Sequence, residues 1–266
     1  MSLLDQILLT TRQRVAETRR SADVRDLEQR AAAHSVRGFR RRLVEMSQAG
    51  VAVIAELKKA SPSRGLIRAE FDAAALASEL AAAGAGALSV LTDAEYFQGS
   101  LENLQRASAA CAIPCLRKDF IVNEFQILEA RAFGADAVLL IVAALDDAEL
   151  RRLSAAAGGI GLDIVCEVHD EVELKRALDL GFTTIGVNNR NLKTFVVDLE
   201  TSLRLTELIP SGVLKVAESG IDSGADIARL RAAGFGAFLI GESLMKAERP
   251  GAELRGLLEQ ATGVAR

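Results

Sequence analysis

The sequence predicts an α/β fold, a (β/α)8 TIM barrel carrying a helical N-terminal extension. Two observations carry that expectation. From residue 51 onward, eight short β-branched and apolar runs alternate with longer Ala/Leu/Glu/Arg stretches at helical spacing, the pattern of repeated βα units. The seven intervals between Glu56 and Gly241, at the ends of the first and eighth runs, average about 26 residues, enough for a strand, a loop, a helix and a return turn.

Residues 1–50 are expected to form the extension. Leu3, Leu4, Ile7, Leu8 and Val15 offer an apolar stripe, and a second helical segment runs from Val24 to Ala33. Arg37, Arg40, Arg41 and Arg42 follow without interleaved aromatics, so they read as a solvated helix face rather than a nucleic-acid patch. The barrel, residues 51–266, opens with a strand at 51–57, and further strands are expected at 87–91, 114–118, 136–141, 162–167, 183–188, 213–218 and 236–241. Asn123 with Gln126 and Asp170 with Glu173 have the spacing of side chains that satisfy the free N–H groups at a helix start. Gly84, Gly134, Gly181 and Gly234 each follow an Ala/Leu-rich stretch, where a left-handed residue ends the helix and releases the chain.

Composition narrows the functional classes. Half of the 266 residues are hydrophobic, 26% are charged and four are proline, the balance of a folded globular chain. A net charge of −4 gives no general reason to bind nucleic acid or an anionic membrane, though a small anion can find a local site. No apolar run approaches the roughly 18 residues of a spanning helix, and Met1 to Arg20 lacks a hydrophobic signal core, so a cytoplasmic location is expected. Three cysteines without CxxC spacing and two histidines argue against a disulfide framework, a zinc site or a catalytic transition metal.

Side chains alternate along a strand, so Glu56 and Lys58 share a face with Ala52 and Ile54. The same parity aligns Lys118 with Leu116, Glu167 with Val165, Asn188 with Gly186, and Glu218 with Val216 and Leu214. If those faces are the inner ones, five ionisable groups converge on a barrel mouth that sequence alone would fill with branched apolar residues. A self-neutralising ion network is one reading. Acid/base catalysis is favoured, because the carboxyl ends of barrel strands are where such enzymes build their sites, and a partly desolvated lysine there is expected to have a lowered pKa. Ser219-Gly220 after the seventh strand and Gly241-Glu242-Ser243 after the eighth occupy the two loops from which barrels direct backbone N–H groups at a phosphate. Ser61, in SPSRG, is placed to reach the same anion from the first loop.

These residues lie in segments that resemble the indole-3-glycerol phosphate synthase family: IAELKKASPSRG (54–65), LTDAEYFQGS (91–100), LRKDFIVNEFQI (116–127), GADAVLLI (134–141), CEVH (166–169), IGVNNRNL (185–192), VAESGI (216–221) and LIGESLM (239–245). The segments follow one another through the whole barrel, and a helical extension also fits that family. The resemblance implies ring closure of 1-(2-carboxyphenylamino)-1-deoxyribulose 5-phosphate to indole-3-glycerol phosphate with loss of carbon dioxide and water, without cofactor or metal. It implies Lys118 as general acid, Lys58 as a second acid or holder of the departing hydroxyl, and Glu167 as base in the dehydration. Glu56, Glu218 and Asn188 then orient the lysines and the sugar hydroxyls, and Arg190 pairs with the substrate carboxylate. Phe97, Phe120 and Leu192 correspond to the pocket for the aromatic ring. Glu242 stands where some members carry a small residue; a backbone N–H contact to phosphate survives that change.

Three rivals are distinguishable. A phosphoribosylanthranilate isomerase calls for a Cys/Asp pair at strand ends that here carry Glu56, Lys58 and Asn188. A Schiff-base aldolase places its lysine on the sixth strand, which here ends in Asn188. A barrel that only binds a sugar phosphate has no use for a full set of acids and bases. Protein partners and oligomeric state are left open.

Overall fold

The structure is a computed structural model that describes residues 2–192 and 194–263. Eight parallel strands form a closed barrel: β1 (Ala52–Leu57), β2 (Ala87–Leu91), β3 (Cys115–Lys118), β4 (Ala137–Ile141), β5 (Asp163–Val168), β6 (Thr184–Asn188), β7 (Leu214–Glu218) and β8 (Ala237–Ile240). Each pairs with its neighbours in sequence, and β8 closes onto β1 through Ala52 opposite Ala237. Every strand lies within one residue of its expected bounds, because each is a short run of residues that a pleated surface accommodates, stopped by turn residues.

Alternation divides the core in two. Val53, Ala55 and Leu57 of β1 face outward into the large cluster between strands and helices, whereas Ala52 and Ile54 face inward beside Leu116, Val165, Val216 and Leu239. The parity read from sequence is therefore the inner face, and the polar residues that end these strands emerge at the carboxyl mouth. The helix-ending glycines adopt the left-handed conformation expected of them, with φ of +105° at Gly84, +88° at Gly134, +82° at Gly181 and +99° at Gly234.

Three helices precede the barrel: α1 (Leu3–Ser21), α2 (Val24–Ala33) and α3 (Phe39–Ala49). The inner face is alanine-rich at the strand starts, at Ala52, Ala87, Ala137 and Ala237, and Phe39 and Leu43 of α3 complete that cluster with no solvent exposure. The extension thus plugs the base of the barrel. The neighbouring arginines correct the expectation of a solvated face. Arg37 is half-buried and bonds Asp136 Oδ2 at 2.6 Å as well as the carbonyls of Ser108, Cys111 and Gly134; Arg40 donates from its backbone N–H to Asp163 and from Nη2 to the Gly212 carbonyl, and Arg42 Nε donates to the Gly86 carbonyl. Of the four, only Arg41 is exposed. The reason is geometric: helix ends and the turns that lead into the strands leave backbone carbonyls at the barrel base, and a forked cation satisfies several at once.

At its other end the extension reaches the mouth. Val15 packs with Leu27 and Ala31 of α2 and with Phe125 and Ala132 of the helix Glu124–Ala132. Arg14 pairs with Asp93 at 3.1 Å and Asp119 at 3.6 Å, tying α1 to the loops after β2 and β3. No helix among the described residues is long and apolar enough to cross a membrane.

Candidate active site

The last residue of β3 supplies the central cation. Lys118 Nζ lies 2.7 Å from Glu167 Oε2 on β5 and 3.1 Å from Glu218 Oε2 at the end of β7. Both carboxylates are almost completely buried, at 2% and 1% exposure. Asn188, ending β6, donates from Nδ2 to Glu167 Oε1 at 3.2 Å, while its Oδ1 accepts from Ser219 Oγ at 2.9 Å and from Arg190 N–H at 3.0 Å. A second pair, Lys58 Nζ with Glu56 Oε1 at 2.7 Å, stands at the end of β1.

Two glycines make room for these carboxylates. A Cβ on Gly186, next to β7, would collide with Glu218 Oε1, and one on Gly241 would come within 2.6 Å of Glu56 Oε1. Missing side chains on one strand thus create the space that a charged side chain on the next one fills.

Electrostatics separates the three buried groups. Burial opposes the charge of Lys118, but Glu167, Glu218 and Glu56 outweigh it and hold the ammonium well above its ordinary range. The expected lowering is corrected: desolvation does act, and the carboxylates overcome it. Burial likewise opposes the charge of Glu167, yet Lys118 and His169 hold its carboxyl well below the usual range. Glu218 goes the other way, since burial and the nearby Glu167 charge exceed the help from Lys118 and raise it to about 7. Its Oε1 makes no hydrogen bond among the described residues.

The mouth encloses a cleft of about 300 Å³, at the lower end of the range for small-molecule sites. All the residues singled out from sequence line it: Glu56, Lys58, Lys118, Glu167, Asn188 and Glu218 below, Ser61, Phe97, Phe120, Arg190 and Leu192 around the sides, Ser219 and Gly220 in the loop after β7, and Gly241, Glu242 and Ser243 where β8 passes into the short helix Glu242–Lys246. The Phe97 and Phe120 rings, 6.3 Å apart and tilted by 42°, form an apolar wall. Ser219 holds φ at +68°, a left-handed conformation costing about 1–3 kcal/mol for a residue other than glycine, and its hydroxyl is spent on Asn188. Ser243 Oγ is buried and makes no hydrogen bond among the described residues. Glu242 is drawn into ion pairs with Arg64 at 2.9 Å, Lys246 at 2.6 Å and Arg190 at 3.6 Å.

Sequence reasoning missed several contributors. Leu3, Leu4 and Ile7 of α1, Arg64 in the first loop and Phe195 in the sixth also line the cleft. The α1 stripe was visible, but nothing local says that it faces the mouth rather than a core. His169 was passed over although CEVH contains it. Its Nε2 lies 3.3 Å from Glu167 Oε1 and its Nδ1 2.9 Å from Glu173 Oε2. The signal in the sequence was Glu173 four residues after His169, read there only as half of a cap; in the structure Asp170 accepts from Glu173 N–H, while the Glu173 carboxylate turns to His169 N–H instead.

A closed parallel barrel with two lysines and three carboxylates at the carboxyl ends of its strands defines a (β/α)8-barrel enzyme of the acid–base kind. A family model described as indole-3-glycerol phosphate synthase matches residues 4–257. The chain belongs to the indole-3-glycerol phosphate synthase family. It is 64% identical over 257 residues to the indole-3-glycerol phosphate synthase of Koribacter versatilis, covering 97% of this chain and 99% of that relative, and 49% identical to the one from Burkholderia ambifaria strain MC40-6, covering 95% and 97%. Among solved structures, a 3-hexulose-6-phosphate synthase matches with a TM-score of 0.63 at 17% identity over 79% of this chain and 99% of that one. KGPDC from Streptococcus mutans matches at 0.62 and 11%, over 80% and 98%. Those two likenesses establish the barrel alone.

Proposed function

We infer that the chain converts 1-(2-carboxyphenylamino)-1-deoxyribulose 5-phosphate to indole-3-glycerol phosphate, with release of carbon dioxide and water. One observation carries the assignment of roles: Lys118 bridges Glu167 and Glu218 at the floor of a cleft whose walls are aromatic and whose rim is polar.

The ring carbon bearing the carboxylate attacks the substrate ketone, and negative charge develops on the ketone oxygen. An ammonium held by buried carboxylates is a preorganised cation for that charge, and it stabilises the alkoxide before surrendering a proton to it. Its raised pKa is no obstacle, because the proton moves only as the oxygen becomes strongly basic. The attacked carbon is now tetrahedral, so carbon dioxide leaves and its bonding electrons return to the ring system. In the dehydration, Lys58 assists the departing hydroxyl and Glu167 takes the proton whose loss restores aromaticity. Glu56 orients Lys58, Glu218 orients Lys118, and Asn188 fixes Glu167.

Phosphate is assigned to the loops after β7 and β8, where Ser219, Gly220, Gly241 and the Glu242 and Ser243 backbone ring the rim; the unsatisfied Ser243 hydroxyl supports this. Ser61 supplements it from the first loop. Arg190 is assigned to the substrate carboxylate, exchanging Glu242 for it. We also place the protein in the cytoplasm, a reading supported by three cysteines that are all unpaired. The deciding experiment mixes the chain with the carboxyphenylamino-deoxyribulose phosphate and follows indole fluorescence; the absence of any rise under turnover conditions overturns the assignment.

A further inference from the structure

We propose that His169 is a positioning residue: held as an imidazolium by Glu173 beside Glu167, it holds the Glu167 carboxylate by charge and keeps it unprotonated for its turn as base. The proposal rests on the reading of Glu167 as the dehydration base.

The clamp begins with the strand. Alternation along β5 puts Val165, Glu167 and the following His169 on one side, and the helix Glu171–Asp179 then starts at its Asp170 cap. Glu173, in the first turn of that helix, uses a single oxygen, Oε2, to accept from His169 N–H at 2.9 Å and to face His169 Nδ1 at 2.9 Å. The ring is therefore held at both backbone and side chain, and its Nε2 comes to rest 3.3 Å from Glu167 Oε1, at ion-pair distance but not aligned for a hydrogen bond. No cleft-lining position belongs to His169 among the described residues, so it reaches the chemistry only through Glu167.

Tautomer logic then fixes the charge. A neutral imidazole carries one N–H and one lone pair. If the hydrogen sits on Nδ1, the Nε2 lone pair opposes the Glu167 carboxylate; if it sits on Nε2, the Nδ1 lone pair opposes Glu173. Either arrangement sets acceptor against acceptor in a site where the side chain is 11% exposed. Only the doubly protonated ring makes both contacts attractive, as a hydrogen bond to Glu173 and as an ion pair with Glu167. The facing charged groups are Glu167 from β5 and Glu173 from the next helix; Lys118 bonds the other oxygen of Glu167, and Asn188 donates to the same Oε1 that His169 faces. In accord with this, burial opposes the cation but the two carboxylates win, and the ring is pushed up to about 10.

The consequence concerns timing. Glu167 Oε2 bonds Lys118, whereas Oε1 is shared by Asn188 and His169. When Lys118 gives its proton to the substrate, Glu167 loses one counter-charge and becomes more basic. The imidazolium is the counter-charge that remains, so Glu167 stays ionised and correctly turned until the later step.

Two measurements test this. The chain has two histidines, so 13C-labelled histidine with His34→Gln for assignment isolates the His169 ring signal. It should hold its protonated position to about pH 9, and in Glu173→Gln should titrate closer to neutrality. A midpoint near 6.5 in the unsubstituted chain overturns the proposal. In single turnovers, His169→Asn should release carbon dioxide normally at about pH 8, while the indole rise that follows slows about tenfold on going to about pH 6 and the unsubstituted chain stays level. Equal slowing of both signals at every pH indicates packing alone and overturns it. If Glu167→Gln proves to leave dehydration intact, the base assignment fails, and the histidine titration still judges the clamp by itself.

Discussion

Lys118 and Glu167 touch each other, yet they are assigned to different steps, so their substitutions should separate in time. Lys118→Met should abolish carbon dioxide release and indole formation together, because decarboxylation waits for the tetrahedral carbon made at ring closure. Glu167→Gln should still release carbon dioxide in one turnover while indole fluorescence lags or fails to rise; a joint loss of both signals would place Glu167 at or before ring closure. Glu218 offers a stability measurement. Its carboxyl is raised from 4.5 to about 7, so the group's contribution to stability is full below about pH 4.5 and is lost as pH rises through 7. Glu218→Gln removes that slope. The difference in Tm, variant minus unsubstituted chain, should grow more positive from about pH 5 to pH 8, and a level difference would mean that Glu218 does not titrate in this window.

Among the elements, the extension does two jobs at opposite ends of the barrel. Phe39 of α3 is fully buried at the base, so Phe39→Ala should destabilise the chain by about 3–5 kcal/mol in denaturant unfolding while leaving KM near its original value. The other end is different: Leu3, Leu4 and Ile7 of α1 line the cleft and add apolar surface to it. Removing about the first 30 residues should leave a barrel that unfolds cooperatively, with KM raised about tenfold and kcat less affected. Loss of the cooperative transition would make α1 and α2 part of the folding core. The loops after β7 and β8 call for a gentler probe than Gly241→Val, whose branched side chain would strike Glu56 and disturb Lys58 as well. Ser243→Ala deletes a single unsatisfied hydroxyl, and weaker competition by inorganic phosphate in that variant is the expected outcome. Unchanged competition would remove Ser243 from the phosphate site.

At the scale of the whole molecule, the charges of the mouth are organised as a network, and in the proposed mechanism the same groups form the catalytic set. Lys58, Lys118 and His169 face Glu56, Glu167 and Glu218, which makes so many buried ions tolerable, and one member is left near neutrality in its titration. In the proposed mechanism the lysines supply the electrophilic assistance that a metal ion gives elsewhere, and among the described residues no group of three or more His, Cys, Asp or Glu side chains is arranged to hold a metal. Full turnover should therefore persist in a strong chelator; activity that disappears and returns only with a divalent cation would overturn this account.

The barrel was legible in the sequence because its information is local. A strand is a short apolar run, a helix end is a glycine, and the parity of Ile54, Glu56 and Lys58 settles which residues share a face. The same parity gathered the lysines and carboxylates at one end, so the floor of the cleft followed from period alone. What the tertiary structure decided involves residues far apart in the chain. Arg37 looked solvated until it met Asp136 across the barrel base, and Leu3 was one residue of an apolar stripe without a stated partner until α1 was laid along the mouth. Lys118 looked like a lysine to be lowered by burial, and it is instead raised by Glu167 and Glu218, 49 and 100 residues away. Periodicity tells which way a side chain points; whether it meets a partner, and of which charge, depends on how the strands close into the barrel.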